Sequence, residues 1–299
     1  MKRGHWQILL AAVLFLLALG LTLYPVVSNW YIGRHQSRIQ TEYREVLEQT
    51  DSAEIESIRE SAAAYNKTIT PGAAEEAYSQ ASIRAASEDY VNQVNVSGSG
   101  IMGYVEIPKI GVDLPTYHGT GADSLDRGTG HLLGSSLPVG GESTHTIITG
   151  HSGMASQKMF TDLEQLREGD IFYLHVLDET LTYEVRKIHT VLPHDTTYLG
   201  IEPGEDLCTL VTCTPTGVNT HRLLVHGSRI PYVPTEETEA SAVLHEENTD
   251  SNWEKQYWLG VRLGLAAMVF LTLVAGAVLY IRRNRGRAVH RKGGRYVRK

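Results

Sequence analysis

Two uncharged apolar runs, one near each end, constrain this chain more than any other feature. Residues 8–27 form a run of 20 and residues 263–281 a run of 19, and an α-helix needs about 20 apolar residues to cross a bilayer. Trp6, Trp30 and Tyr31 flank the first run, and Trp253, Tyr257 and Trp258 precede the second, as aromatics at a membrane interface do. Lys2 and Arg3 precede the first run, and Ala18-Leu19-Gly20 is a poor small-residue cleavage site. A retained anchor is therefore expected there, not a removed signal. Residues 282–299 carry nine Lys and Arg and no acid. The positive-inside rule places such a tail in the cytoplasm, with the N-terminus beside it and everything between the anchors outside.

The overall formal charge of −7 hides a sorted distribution: residues 31–255 hold 15 basic against all 34 acidic residues, a net −19. No nucleic-acid partner is expected of such a segment, because nucleic-acid binding needs a basic face. The 2 cysteines exclude a disulfide-rich mini-protein and a four-cysteine zinc site. Neither HExxH, CxxC nor a P-loop occurs, so no cofactor is expected. Asp123, Asp126, Glu142 and Asp162 could in principle bind calcium, but scattered acids are read as a solvated face and no metal is expected.

Residues 35–65 recur at helical spacing (Ile39, Tyr43, Val46 or Leu47, Ile58, Ala62, Tyr65) and predict a helix that Pro71-Gly72 ends. Residues 73–90, rich in Ala, Glu and Ser, predict a second. After the joint Ser97-Gly98-Ser99-Gly100 the texture becomes β: strands are expected at 101–107, 112–118, 145–149, 171–176, 181–191, 207–213 and 222–230. Short strands with turn residues between them suggest a closed barrel or a sandwich. A helix is expected at 157–166. The domain plan is a cytoplasmic N-terminus (1–7), a membrane helix (8–28), an extracellular helical segment (29–96), a β domain (97–233), an acidic linker (234–256), a second membrane helix (257–281) and a basic cytoplasmic tail (282–299).

Cys213 ends the strand-like Thr209–Thr212 stretch just before Thr214-Pro215, where a ladder must stop. A thiol at a strand end can reach a substrate. Cys208 lies five residues earlier, so strand alternation sends its side chain to the other face. It is read as a buried structural thiol, and a disulfide between the two is not expected. A free thiol has a pKa of about 8.5 and needs a base at neutral pH. Of 13 histidines, His151 stands out, because it follows an apolar run and sits between Gly150 and Gly153, glycines that leave room for a substrate backbone. Acyl transfer also needs a donor where oxyanion charge develops. Arg222 begins the strand after Cys213, and an antiparallel return would bring it alongside. His221 and His226 are read as ordinary strand residues.

These residues carry a resemblance. TLVTC (209–213) is similar to the sortase signature Thr-Leu-x-Thr-Cys, Thr149-Gly150-His151 to the family's histidine motif, and Arg222 in Asn219–Leu223 to its arginine. Residues 101–120 and 213–230, with the two-anchor layout, resemble class C sortases, the pilin polymerases of Gram-positive bacteria. The resemblance covers about residues 97–231 and implies a mainly β, eight-stranded sortase-type barrel with the three residues in one groove. It implies a cysteine transpeptidase with Cys213 as nucleophile, His151 as general acid/base and Arg222 as oxyanion or substrate clamp. The substrate would be a Leu-Pro-x-Thr-Gly-like sorting signal cleaved between Thr and Gly through a thioester, and a pilin lysine would accept the acyl group. The partners implied are pilins or surface proteins bearing sorting signals, together with the membrane, and the ectodomain is expected to act as a monomer. Two other readings are anchoring of surface proteins to a cell-wall peptide amine and a non-catalytic, membrane-tethered scaffold for sorting signals. Class C enzymes usually carry a lid with an Asp-Pro-aromatic triplet. Residues 65–90 hold Thr70-Pro71-Gly72 and no such triplet, so a cleft without the usual plug is expected.

Overall fold

The β-rich segment is dense in large apolar side chains, and a sheet with an apolar face must bury it. It does so by closing on itself. The computed structural model describes residues 2–70, 72–74, 87–154, 157–232 and 252–293. Eight strands, β1 (Ile101–Ile107), β2 (Val112–His118), β3 (Thr129–His131), β4 (Thr144–Thr149), β5 (Ile171–Val176), β6 (Glu179–Val191), β7 (Asp206–Thr214) and β8 (His221–Ile230), form a closed barrel in the order β1-β2-β3-β4-β7-β8-β6-β5. Seven are the expected strands, shifted by two residues at most. The eighth, β3, is only three residues long and was not expected; it pairs parallel to β2 and antiparallel to β4. The barrel interior takes Val105, Ile107, Ile148, Phe172, Leu174, Tyr183, Leu210 and Val225, together with Cys208.

The chain divides into two units. In the unit made of Asn29–Trp253, helix α1 (Lys2–Gln49) contributes its C-terminal part, followed by α2 (Ser52–Asn66), α3 (Glu88–Asn92) and α4 (Ala122–Leu125). The expected single helix over 35–65 is split because the Asp51 carboxylate accepts a bond from the backbone N–H of Ala53 and starts a new helix. Tyr43, 2% exposed, docks α1 on the barrel. Its hydroxyl donates to the Met102 carbonyl and accepts from the Leu177 amide, and burial pushes its pKa up to about 12. At the end of α2, the Asn66 carboxamide exchanges two bonds with the backbone of Leu137, at 2.7 and 3.2 Å.

The helix expected at 157–166 reduces to a single 3-10 turn, Leu163–Gln165. Met159 takes a left-handed φ of +44°, which a continuous α-helix does not tolerate. The helix-like spacing of Phe160, Leu163 and Leu166 serves instead to cap the barrel, where all three are fully buried. Most of the second expected helix (residues 75–86) and most of the acidic linker (233–251) lie outside the described residues.

The other unit, Met1–Ser28 with Glu254–Lys299, contains the start of α1 and α5 (Asn252–Gly293). Within α5, the 21 residues Trp258–Val278 are long and apolar enough to cross a membrane. The apolar stretch of α1 is the shorter Ala12–Tyr24. Among the described residues, one helix meets the requirement where two were expected. Thr22, Pro25 and Ser28 thin the apolar run at its far end.

Candidate active site

The site is assembled by register. Strand β7 runs between β4, its parallel neighbour, and β8, its antiparallel neighbour. Cys213 is the partner of Arg222 across β7–β8, so their side chains leave the same face of the sheet. On the other side, Thr149 pairs with Val211, and the chain keeps step with β7 beyond the end of β4. The Gly150 amide donates to the Val211 carbonyl at 3.0 Å. The Thr212 hydroxyl donates to the Gly150 carbonyl at 2.8 Å, and the Ser152 hydroxyl to the Cys213 carbonyl at 2.6 Å. His151 is thus held between two residues tied to β7, abreast of Cys213. All three expected residues lie at one rim, Cys213 on β7, Arg222 on β8 and His151 in the loop just beyond β4.

Each is partly open to solvent. Cys213 is free and half-buried, the His151 side chain is 38% exposed, and Arg222 is half-buried. The His151 carbonyl accepts from the Phe160 amide at 2.9 Å, and its Nε2 lies 3.8 Å from Oδ1 of Asp126. Arg222 Nη1 donates to the carbonyls of His221 and Asn219 at 3.1 and 3.3 Å, which hold the guanidinium at the β7–β8 turn. Cys208, by contrast, is 0% exposed in the barrel core. Burial, with the nearby Asp206 charge, pushes its thiol well above the ordinary range. The reading of Cys208 as a structural thiol agrees with its place.

Gly150 has a different purpose from the one its sequence position suggested. A Cβ there would lie 2.7 Å from the Phe160 ring, so the missing side chain makes room for the barrel cap, not for a substrate. Gly153 has a φ of +74° and backs onto Thr216 and Gly217, bringing the loop after β4 against the loop after β7.

Asp126 was considered only as a scattered acid, yet it follows α4 directly and faces His151. Nothing local to it signals this, since the contact depends on how β2 and β3 are joined. Of the other acids, Asp162 pairs with Lys158 at 3.2 Å. Among the described residues, no group of three or more His, Cys, Asp or Glu is placed to hold a metal ion.

On the sheet face that carries Cys213, an apolar cluster of Leu132, Ile147, Val191, Leu199, Val211 and Leu224 continues away from the rim. Ala74, 6% exposed, packs into it. A small apolar side chain from the segment after α2 thus seats on this face, while the rest of the stretch expected to lack the usual plug, residues 75–86, lies outside the described residues.

A closed barrel whose rim gathers a half-open cysteine and an arginine on paired strands, with a histidine in the loop beside them, defines a class of β-barrel cysteine proteins. Residues 105–230 match the family model described as the sortase domain. Sortase C of Streptococcus pneumoniae is 45% identical, with a TM-score of 0.60, and the match covers 66% of this chain and 100% of that one. Sortase C1 of Streptococcus agalactiae is 42% identical, with a TM-score of 0.59 and the same coverages of 66% and 100%. Sortase D of Bacillus subtilis is 31% identical over 131 residues, 43% of this chain and 63% of that protein. The matched stretch spans between about half and just under two thirds of the curated relatives' length. The chain belongs to the sortase family.

Proposed function

We propose that this chain is a membrane-anchored cysteine transpeptidase of the class C type, with Cys213 as nucleophile, His151 as general acid/base and Arg222 as oxyanion clamp. The observation that supports this reading is the pairing of Cys213 with Arg222 across β7–β8, with the bonds that keep Gly150 and Ser152, on either side of His151, in step with β7. The Cys213 thiolate attacks the carbonyl carbon of the Thr–Gly bond in a Leu-Pro-x-Thr-Gly-like signal, and negative charge develops on the carbonyl oxygen. Arg222, fixed at the turn by two carbonyls, stabilises that charge without reorganising. The tetrahedral species collapses, the C–N bond breaks, and protonated His151 gives its proton to the departing glycine amine. A thioester remains on Cys213. A lysine amine of an incoming protein then attacks it, His151 takes the amine proton, and an isopeptide bond forms as the sulfur leaves.

The pilus-building version of the reaction is favoured because the S. pneumoniae and S. agalactiae relatives above are sortases C, and the S. pneumoniae enzyme is described in terms of pilin substrate specificity. Helix α5 supplies the anchor, and its basic C-terminal end sets a cytoplasmic terminus. Retention of α1 in the bilayer would complete a two-anchor layout with the barrel outside.

The test is mass spectrometry of the detergent-solubilised chain with a sorting-signal peptide. An acyl adduct is expected on Cys213 and absent from Cys213→Ala. Persistence of the adduct in Cys213→Ala would remove the nucleophile assignment, and a binder that never acylates would be a scaffold. In cells, covalent ladders of a pilin distinguish polymerisation from attachment of monomers to a wall peptide.

A further inference from the structure

Strand order sets four groups in sequence across the rim. Asp126 follows α4, which joins β2 to β3; His151 follows β4; Cys213 and Arg222 are partners on β7 and β8. Arg222 therefore stands on one side of the thiol, and His151 with Asp126 on the other. Both members of that second pair are open to solvent, His151 at 38% and Asp126 at 65% of the side chain. The backbone of Asp126 is fixed. Its amide donates to the Ala122 carbonyl at 2.9 Å. Its carbonyl accepts at 2.9 Å from the carboxamide of Gln157, a buried residue of the segment that follows His151. The cation next to it in the chain is engaged elsewhere: Arg127 donates from Nε to the Asp123 carbonyl at 2.8 Å and lies over the Tyr117 ring, 4.2 Å from its centroid.

The 3.8 Å between Asp126 Oδ1 and His151 Nε2 is too long for a hydrogen bond, but it suits a guest shared by both atoms. Two bonds of about 2.9 Å that diverge tetrahedrally from one nitrogen reach acceptors about 4.7 Å apart. A small rotation of the exposed Asp126 carboxylate supplies the difference. An ammonium group meets the requirement, since it offers a donor to each atom and carries the charge that a carboxylate attracts. Water offers the donors without the charge.

The reaction brings such a group to this place. His151 gives its proton to the departing glycine amine, and by microscopic reversibility the incoming amine enters where that amine left, on the His151 side of the thioester. A lysine side chain has a pKa of about 10.4, so it arrives as an ammonium and cannot attack until it loses a proton. We infer that Asp126 and His151 form the receiving site for the protonated primary amine of the acyl acceptor, with Asp126 binding the ammonium and His151 deprotonating it. The inference rests on the transpeptidase reading above. Of the three Nζ protons, one passes to His151 and one stays on the isopeptide nitrogen. The third goes to solvent as the N–C bond forms and the C–S bond breaks. Cys213 thiolate and protonated His151 are thereby restored.

The experiment uses the full-length chain in detergent with a saturating sorting-signal peptide. It compares two acceptors at neutral pH: Nα-acetyl-lysine amide, which is cationic, and hydroxylamine, which is not. The readout is the ratio of their kcat/KM values, in which any effect of Asp126 on His151 itself cancels. In Asp126→Asn this ratio is expected to fall by about two- to fivefold, the size of an exposed ion pair, and Asp126→Glu, which keeps the charge, should retain most of it. Added salt should lower the wild-type ratio toward that of Asp126→Asn, a reading that needs no variant. A ratio unchanged both in Asp126→Asn and by salt, or a thioester that hydroxylamine resolves and the lysine amine does not, overturns the receiving site and leaves acylation of Cys213 intact. Failure of the peptide to acylate Cys213 overturns the transpeptidase reading instead, and the inference with it.

Discussion

At the scale of single residues, the two cysteines form a controlled comparison. Both lie on β7, five positions apart, and strand alternation separates them into a rim thiol and a core thiol. Iodoacetamide should therefore label Cys213 in the folded protein and leave Cys208 untouched until denaturant is added, as read by peptide mass mapping. Cys208→Ala should keep peptide turnover within about twofold and lower stability by about 1 kcal/mol, the cost of a small core deletion. Equal labelling of both thiols in the folded chain would contradict this account. Asp126 offers a second test at the same scale. Its carboxylate is 65% exposed and 3.8 Å from His151, so its electrostatic effect is small, at most about 1 kcal/mol. Asp126→Asn should reduce kcat by less than about tenfold with an unchanged melting temperature. The common placement of the candidate residues was legible in the sequence because Cys213, His151 and Arg222 sit at or just past strand ends within local motifs. The place of Asp126 was not, because its contact with His151 exists only once distant strands pair.

At the scale of elements, seven strands were readable because each is a β-rich run of six residues or more bounded by turn residues. Strand β3 has three residues, Thr129-Gly130-His131, all buried, too few to show a period. Ala74 fills the apolar cluster beside the rim with a methyl group, and Asn66 anchors the preceding helix through two bonds to Leu137. Ala74→Asp should expel the segment, since an unpaired carboxylate buried among Leu132, Val191 and Leu224 is costly. Peptide turnover should then rise several-fold without loss of the barrel's melting transition, and initial rates on a sorting-signal peptide measure it. An unchanged or lower rate with an intact fold would show that the substrate path avoids this cluster.

For the barrel as a whole, buried histidines couple folding to pH. His131 is fully buried between the Tyr90 hydroxyl, 2.9 Å from Nδ1, and the Ser136 carbonyl, 2.8 Å from Nε2. Burial lowers its pKa from 6.5 to about 4, and burial, reinforced by neighbouring histidines and cations, lowers that of His226 from 6.5 to about 3. Above pH 6.5 each is neutral whether the chain is folded or not, so neither makes stability depend on pH. As pH falls below 6.5 the unfolded chain takes up protons that the folded barrel refuses, and stability drops until the folded pKa is reached. His131 alone removes up to about 3 kcal/mol between pH 6.5 and pH 4. Asp113, raised by burial and by Glu106, works in the opposite sense, and only near and above 3.8, its ordinary value. The melting temperature should therefore be flat from pH 8 to 7 and fall steadily from about 6.5 to 4.5. His131→Gln, which removes a titrating group, should flatten that fall while lowering the plateau, because Gln cannot reproduce both ring bonds. A wild-type melting temperature independent of pH over this range would mean that the His131 and His226 rings take up protons inside the folded barrel.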